Sequence, residues 1–176
     1  MNKENGLDIL AEAFVKLKQK DTIKNLKLKV GGGYTGHDKR FLKRVKKILL
    51  TYMDDVDLCH TYSPDGHAGF YSQISVISVP LTFDEGAGLY ICEAFAAGCP
   101  AVEPTTGSFP EIVGEAGITY SPNNSDALAD TIEKLLTDKE LYTHCCEHAL
   151  QLSQERYSDK VMGERLAEVY KKVKDI

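Results

Sequence analysis

The chain has 176 residues, 43% of them hydrophobic and 27% charged, with a formal net charge of -5 and a pI near 5.5. That is enough chain for one domain with a real core. The acidic balance argues against a broad grip on nucleic acid, which needs a basic face, and no apolar run approaches the roughly 20 residues that span a bilayer.

Leu7, Leu10, Ala11, Phe14 and Leu17 recur with helical spacing, so the chain opens in an amphipathic helix. Leu26, Leu28 and Val30 alternate with lysines as a strand does, and Gly31 to Gly36 breaks it. Phe41, Leu42, Val45, Ile48 and Leu49 mark a second helix, and Val56 to Cys59 a short strand. Ile74 to Val79 is β-branched and uncharged, which predicts a strand buried on both faces of a parallel sheet. Pro80 ends it. A loop to Gly88 leads into a helix over Leu89 to Ala97, stopped by Gly98 and Pro100. Ala101 and Val102 begin a strand, Ser108 to Val113 reads as a short helix, and Ile118 to Tyr120 as a last strand. The turn 122–125 can cap a helix carrying Leu128, Ile132, Leu135 and Leu136. Helical stretches over about 140–154 and 158–173 close the chain. Strands alternating with helices predict an α/β fold, Rossmann-like, with a doubly wound parallel sheet. Ligands of such sheets bind beyond the carboxyl ends of the strands, which directs attention to loops 31–37, 60–66, 80–88 and 103–108.

The stretch Pro80 to Val113 carries the chemistry. Glu85-Gly86-Ala87-Gly88 opens a helix, where glycine permits close backbone approach and free N–H groups suit a phosphate. Glu85 lies at the mouth of that turn and Glu93 farther along the helix, among Ile91, Ala94 and Phe95. A carboxylate accepts two hydrogen bonds side by side and so pairs with a vicinal diol. A nucleotide sugar offers a diol at each end and a diphosphate between. By spacing alone, the simpler reading is a surface Glu85 and an ordinary helical Glu93.

The motif adds to that. Glu85-Gly86-Ala87-Gly88-Leu89, followed by Glu93-Ala94-Phe95-Ala96-Ala97-Gly98-Cys99-Pro100-Ala101, resembles the paired-glutamate signature of the family 4 (group 1) glycosyltransferases, which have the GT-B fold. Thr106 to Val113, Gly117 to Leu136 and the opening helix from Lys3 to Phe14 resemble further parts of that family's C-terminal domain, so the resemblance covers nearly the whole chain. It implies one domain over 1–176, the half of a GT-B enzyme that binds a nucleotide-sugar donor such as a UDP-sugar. The transfer it implies is hexosyltransferase-like, retains anomeric configuration and serves carbohydrate biosynthesis. Glu85 would bind hydroxyls of the donor sugar and Glu93 the ribose diol. Gly86 and the backbone N–H groups of Ala87, Gly88 and Leu89 would meet the sugar or diphosphate. Gly32 and Gly33 would line the site, and Tyr62 would stand near the base. No metal or other cofactor is implied, and no catalytic residue is assigned within this chain.

Three departures bear on activity. Ala87 stands where the family usually has Phe, and Asn5 where it usually has Lys before the glycine equivalent to Gly6. The chain also starts after the strand that would carry a family arginine. That strand would lie beside Leu26–Val30, and without it two strands lose a partner. These features lead us to expect a fragment lacking its N-terminal acceptor domain and inactive alone. The acceptor, whether sugar, lipid or polysaccharide, is not legible. A non-catalytic binding or interaction module of the same fold is the alternative.

Other patterns are simpler. Gly31, Gly33 and Gly36 match a dinucleotide-binding fingerprint in form, but the next strand ends in Cys59-His60 rather than an acid, so an NAD-binding domain is the lesser reading. His144 and His148 stand one helical turn apart. With no second ligand pair in the sequence they read as a solvated face. His60 and His67 fall near the expected cleft, with surface positions as the default. Cys92 reads as a packed thiol. The basic run 39–47 reads as a solvated helix, with contact to an anionic membrane surface or to the diphosphate as the minor reading. The five cysteines are odd in number, with no Cys-x-x-Cys, and the first ten residues contain no signal-like apolar run, so reduced thiols in the cytoplasm are expected.

Overall fold

The computed structural model describes residues 1–59, 66–84 and 86–174. In chain order it holds α1 (Leu7–Lys20), β1 (Leu28–Gly31), α2 (Lys39–Ile48), β2 (Val56–Cys59), α3 (Gly66–Tyr71), α4 (Leu89–Ala96), β3 (Ala101–Pro104), α5 (Phe109–Val113), β4 (Gly117–Tyr120), α6 (Ser125–Thr137), α7 (Lys139–Glu155) and α8 (Asp159–Lys174). Short 3-10 stretches precede α2 and β2. Each helix set out by apolar spacing is present. Asn124 caps α6 as its position predicts, its side-chain oxygen accepting from the N–H groups of Asp126 at 3.1 Å and Ala127 at 2.9 Å. Among the described residues no helix is long and apolar enough to cross a membrane.

The strands pair in parallel, as βαβ alternation requires. β1 lies on β2, from Leu28 opposite Val56 to Gly31 opposite Cys59. β3 lies on β4, from Ala101 opposite Gly117 to Pro104 opposite Tyr120. The expected α/β class is therefore present, but the sheet is divided into two pairs. Between them lies a cavity of about 570 Å³, walled by the chain at 23–29 and 73–78 and by side chains that include Phe14, Leu17, Ile132 and Tyr142.

The division corrects the expectation for Ile74 to Val79. Only Ile77 joins a ladder, donating to Pro100 O at 3.0 Å and accepting from Val102 N at 2.9 Å. None of these six residues is fully buried. One edge of the segment meets β3 while the other faces the cavity, so it has a partner on one side only. α3 was not foreseen. Its Gly-rich start gives little helical signal, and its two buried aromatics, Phe70 and Tyr71, are adjacent rather than spaced.

Helices hold the two pairs together. α1 places Leu7, Ala11 and Phe14 in the cluster with Leu28, Val30 and Val45. It places Ala13 and Leu17 in the cluster with Val102, Leu128 and Ile132. A third cluster joins Ile91 and Phe95 of α4 to Phe109, Ile112 and Ala149. Phe95 and Phe109 are completely enclosed, and each such side chain contributes roughly 1.5–3 kcal/mol by burial. That cluster is the rigid floor on which α4 rests.

Candidate functional site

The site is built on the amino end of α4. Gly88 sits at its N-cap in the left-handed region, with φ 55° and ψ 40°, a conformation that favours glycine. A Cβ here would stand 3.3 Å from both Ile112 Cδ1 and Ile91 Cδ1, so the turn also packs tightly on α5. Among the described residues no side chain caps this helix end. Its backbone N–H groups keep the anion-binding character of a helix start. Gly86, Ala87 and Leu89 are exposed around it, Leu89 at 72%. Glu85 lies outside the described residues, as do His60 and Tyr62.

Glu93 lies one turn farther along α4. Ile91, Ala94 and Phe95 are wholly buried, whereas the Glu93 side chain is about half exposed. It stands on the open side of the helix rather than among them. There the Tyr71 hydroxyl donates to its carboxylate at 2.8 Å, and His67 Nδ1 stands 3.6 Å from the same oxygen. Both partners come from α3. The carboxylate is thus oriented by a neutral donor and flanked by an imidazole, with an oxygen left to accept from a ligand. Tyr71 had no signal in the sequence beyond an aromatic pair. His67, expected at the surface near the cleft, is half exposed and borders the glutamate.

The loop before α4 is fixed from below. Glu103 of β3 is fully enclosed, and its two carboxylate oxygens accept from Val79 N at 3.1 and 3.2 Å. Burial pushes this carboxyl well above the ordinary range, opposed in part by the hydrogen bond from Val79. It ties the segment entering the loop to β3. The same loop is gripped by Asn123, whose amide donates to Leu81 O at 2.7 Å. The N-terminal turn grips it too: Thr82 N donates to Glu4 O at 2.9 Å, and Gly6 lies against the carbonyl of Pro80. Sequence reasoning placed Glu103 in a loop and assigned it no role. The signal was a carboxylate between Val102 and Pro104, a charge inside a buried strand.

Gly32 and Gly33 occupy the loop after β1. Gly32 N donates to Cys59 O at 3.2 Å, which fixes the loop on β2, and Gly33 O accepts from the amino group of Met1. Among the described residues no recorded hydrogen bond joins them to 86–93. The N-terminal turn stands between, touching Gly33 at one end and the Pro80 loop at the other. Cys92 is half-buried, and burial raises its thiol, which agrees with a packed side chain.

The sequence profile of the family described as "Glycosyl transferases group 1" matches residues 1–138. The chain is 25% identical over 143 residues to D-inositol 3-phosphate glycosyltransferase of Corynebacterium aurimucosum, covering 78% of this chain and 33% of that protein. Among solved structures it superimposes on the C-terminal domain of a group 1 glycosyl transferase from Francisella tularensis, with TM-score 0.80, 21% identity and coverage of 90% and 83% of the two chains. It also superimposes on Anabaena HepE in complex with UDP and glucose, with TM-score 0.85, 18% identity and coverage of 98% and 46%. The chain spans 20–33% of the length of the first curated relatives it matches.

Proposed function

The chain belongs to the group 1 glycosyl transferases, and from that premise we propose that it binds a nucleotide-sugar donor at the amino end of α4. The observation that carries this reading is Glu93, held by Tyr71 and flanked by His67 one turn beyond a glycine-led helix start. The diphosphate lies against the N–H groups of Ala87, Gly88 and Leu89, and Glu93 accepts from the ribose diol. Glu85 takes the sugar hydroxyls, Gly32 and Gly33 line the site from the loop after β1, and Tyr62 serves the base side. No metal or cofactor takes part. In the complete protein the donor's glycosyl group passes to an acceptor with retention. The N–H groups stabilise charge on the departing diphosphate as the bond breaks.

Melting of the chain with UDP, GDP, ADP or NAD tests the reading. UDP leads the series because the similar Anabaena structure holds it. A ligand at a hundred times its dissociation constant adds about 2.7 kcal/mol of stability. Glu93→Ala should abolish the shift. Glu111→Ala should leave it, because Glu111 is exposed on α5 and pairs with Arg156 at 2.6 Å. Equal effects of the two would sink the residue assignment. A shift with NAD alone would favour a dinucleotide site.

A further inference from the structure

The turn between α5 and β4 places Glu115 against two histidines of α7. Its Oε2 stands 3.3 Å from His148 Nε2 and 3.9 Å from His144 Nε2. The imidazole rings are 4.2 Å apart, and the three ligand atoms lie within 4.8 Å of one another. Two imidazoles and a carboxylate are a common donor set for zinc. Around a tetrahedral ion with bonds near 2.1 Å, ligand atoms stand about 3.4 Å apart. The Glu115–His148 pair is already at that separation, and His144 Nε2 stands 3.9 Å from the same carboxylate oxygen.

The scaffold beneath is firm. Cys145 and Ala149, each the residue after one of the histidines, are buried and fix the rotation of α7. Ala116, next to Glu115, is completely enclosed; its N–H donates to Val113 O at 2.9 Å and its carbonyl accepts from Ala101 N at 3.1 Å. The ligand tips meanwhile reach solvent, with side-chain exposures of 52% for His144, 31% for His148 and 71% for Glu115. An ion can therefore enter, and one coordination position stays open to water.

We propose that Glu115, His144 and His148 form a zinc site that clips α7 to the turn preceding β4. It lies at the amino ends of the strands, away from the loops that follow their carboxyl ends, and does not depend on the donor reading. The helix alone supplies a bidentate histidine pair. The carboxylate from a separate element makes the site tridentate and distinguishes it from any two histidines one turn apart.

Titration calorimetry of the 176-residue chain with zinc chloride is the direct test, with cobalt(II) as a spectroscopic probe of geometry. The expected result is one ion per chain, at least tenfold weaker binding in Glu115→Gln, and a similar loss in His144→Asn and His148→Asn. His37→Asn should bind as the parent does. Cobalt should give the intense visible bands of a four-coordinate ion, and Glu115→Gln should weaken them. Since all three side chains reach solvent, the variants should fold, which circular dichroism would check. Unchanged affinity in Glu115→Gln would reduce the site to a bare histidine pair and overturn the proposal. So would the absence of stoichiometric binding, or six-coordinate cobalt spectra.

Discussion

Glu103 is the one charged side chain completely enclosed among the described residues, and its protonation couples stability to pH. Burial raises its carboxyl well above the ordinary range, so the folded protein holds this proton at pH values where the unfolded chain has released it. Its contribution is then fully present below the ordinary carboxylate range and falls as pH rises toward the raised value. Each unit of elevation corresponds to about 1.4 kcal/mol. Glu103→Gln keeps an acceptor for Val79 N and removes the titration. We expect the variant to gain on the parent between pH 5 and pH 8, read from urea unfolding at both values. A difference that stays constant with pH would mean that the folded protein does not hold this proton above the ordinary carboxylate range. The sequence made the α4 side of the site legible, because Gly88 and Glu93 sit in a recognisable run. It did not show Tyr71 and His67, which reach Glu93 from α3, nor Glu115, which meets the histidines of α7 through a contact between distant elements. Such meetings depend on tertiary packing, and no local spacing encodes them.

At the scale of elements, the N-terminal turn is a wedge under the loop that precedes α4. Gly6 has φ 64°, and a Cβ on it would fall 2.0 Å from the carbonyl oxygen of Pro80. Gly6→Ala must therefore adopt a disfavoured left-handed conformation and also push the turn off the loop. The expected loss is about 2–4 kcal/mol in urea unfolding, combining roughly 1–2 for the conformation with the cost of displacement. Gly36→Ala is the contrast: nothing lies within 4 Å of its Cβ position, and the change should stay within about 0.5 kcal/mol. Similar losses for both would show that the wedge carries no strain. Helix positions were legible because their apolar residues recur every three or four residues, and α6 and α7 follow that spacing closely. α8 marks the limit of that signal. Its period predicts a helix, yet Met162, Leu166, Val169, Tyr170 and Val173 are 49–69% exposed. Periodicity identifies the apolar face of an element without identifying what covers it.

Across the whole molecule, the two strand pairs are unequally supported. β3 is buried along its full length, β4 ends in buried Tyr120, and Ile77 adds a bridge at its side. α4, α5 and α6 all pack on that half. β1 buries only alternate residues, and β2 has none fully buried. The cavity of about 570 Å³ lies between the β1 side and the segment at 73–78, and among the described residues no ladder connects the halves. Their coupling runs through α1, which contributes to a cluster on each side. Strand hydrogen bonds with fewer buried neighbours open at lower free energy than those in the densest core. Native-state hydrogen exchange should therefore label peptides covering 28–31 and 56–59 at least tenfold faster than those covering 101–104 and 117–120, a gap of about 1.4 kcal/mol in opening free energy. Leu17→Ala removes a buried side chain from the cluster containing Val102, at a cost of about 2–5 kcal/mol. That loss falls on the better supported half and should narrow the difference. Equal exchange in both pairs of the parent chain would mean that α1 couples them into one cooperative unit despite the cavity, and the sheet would then be continuous in energy although divided in its hydrogen bonds.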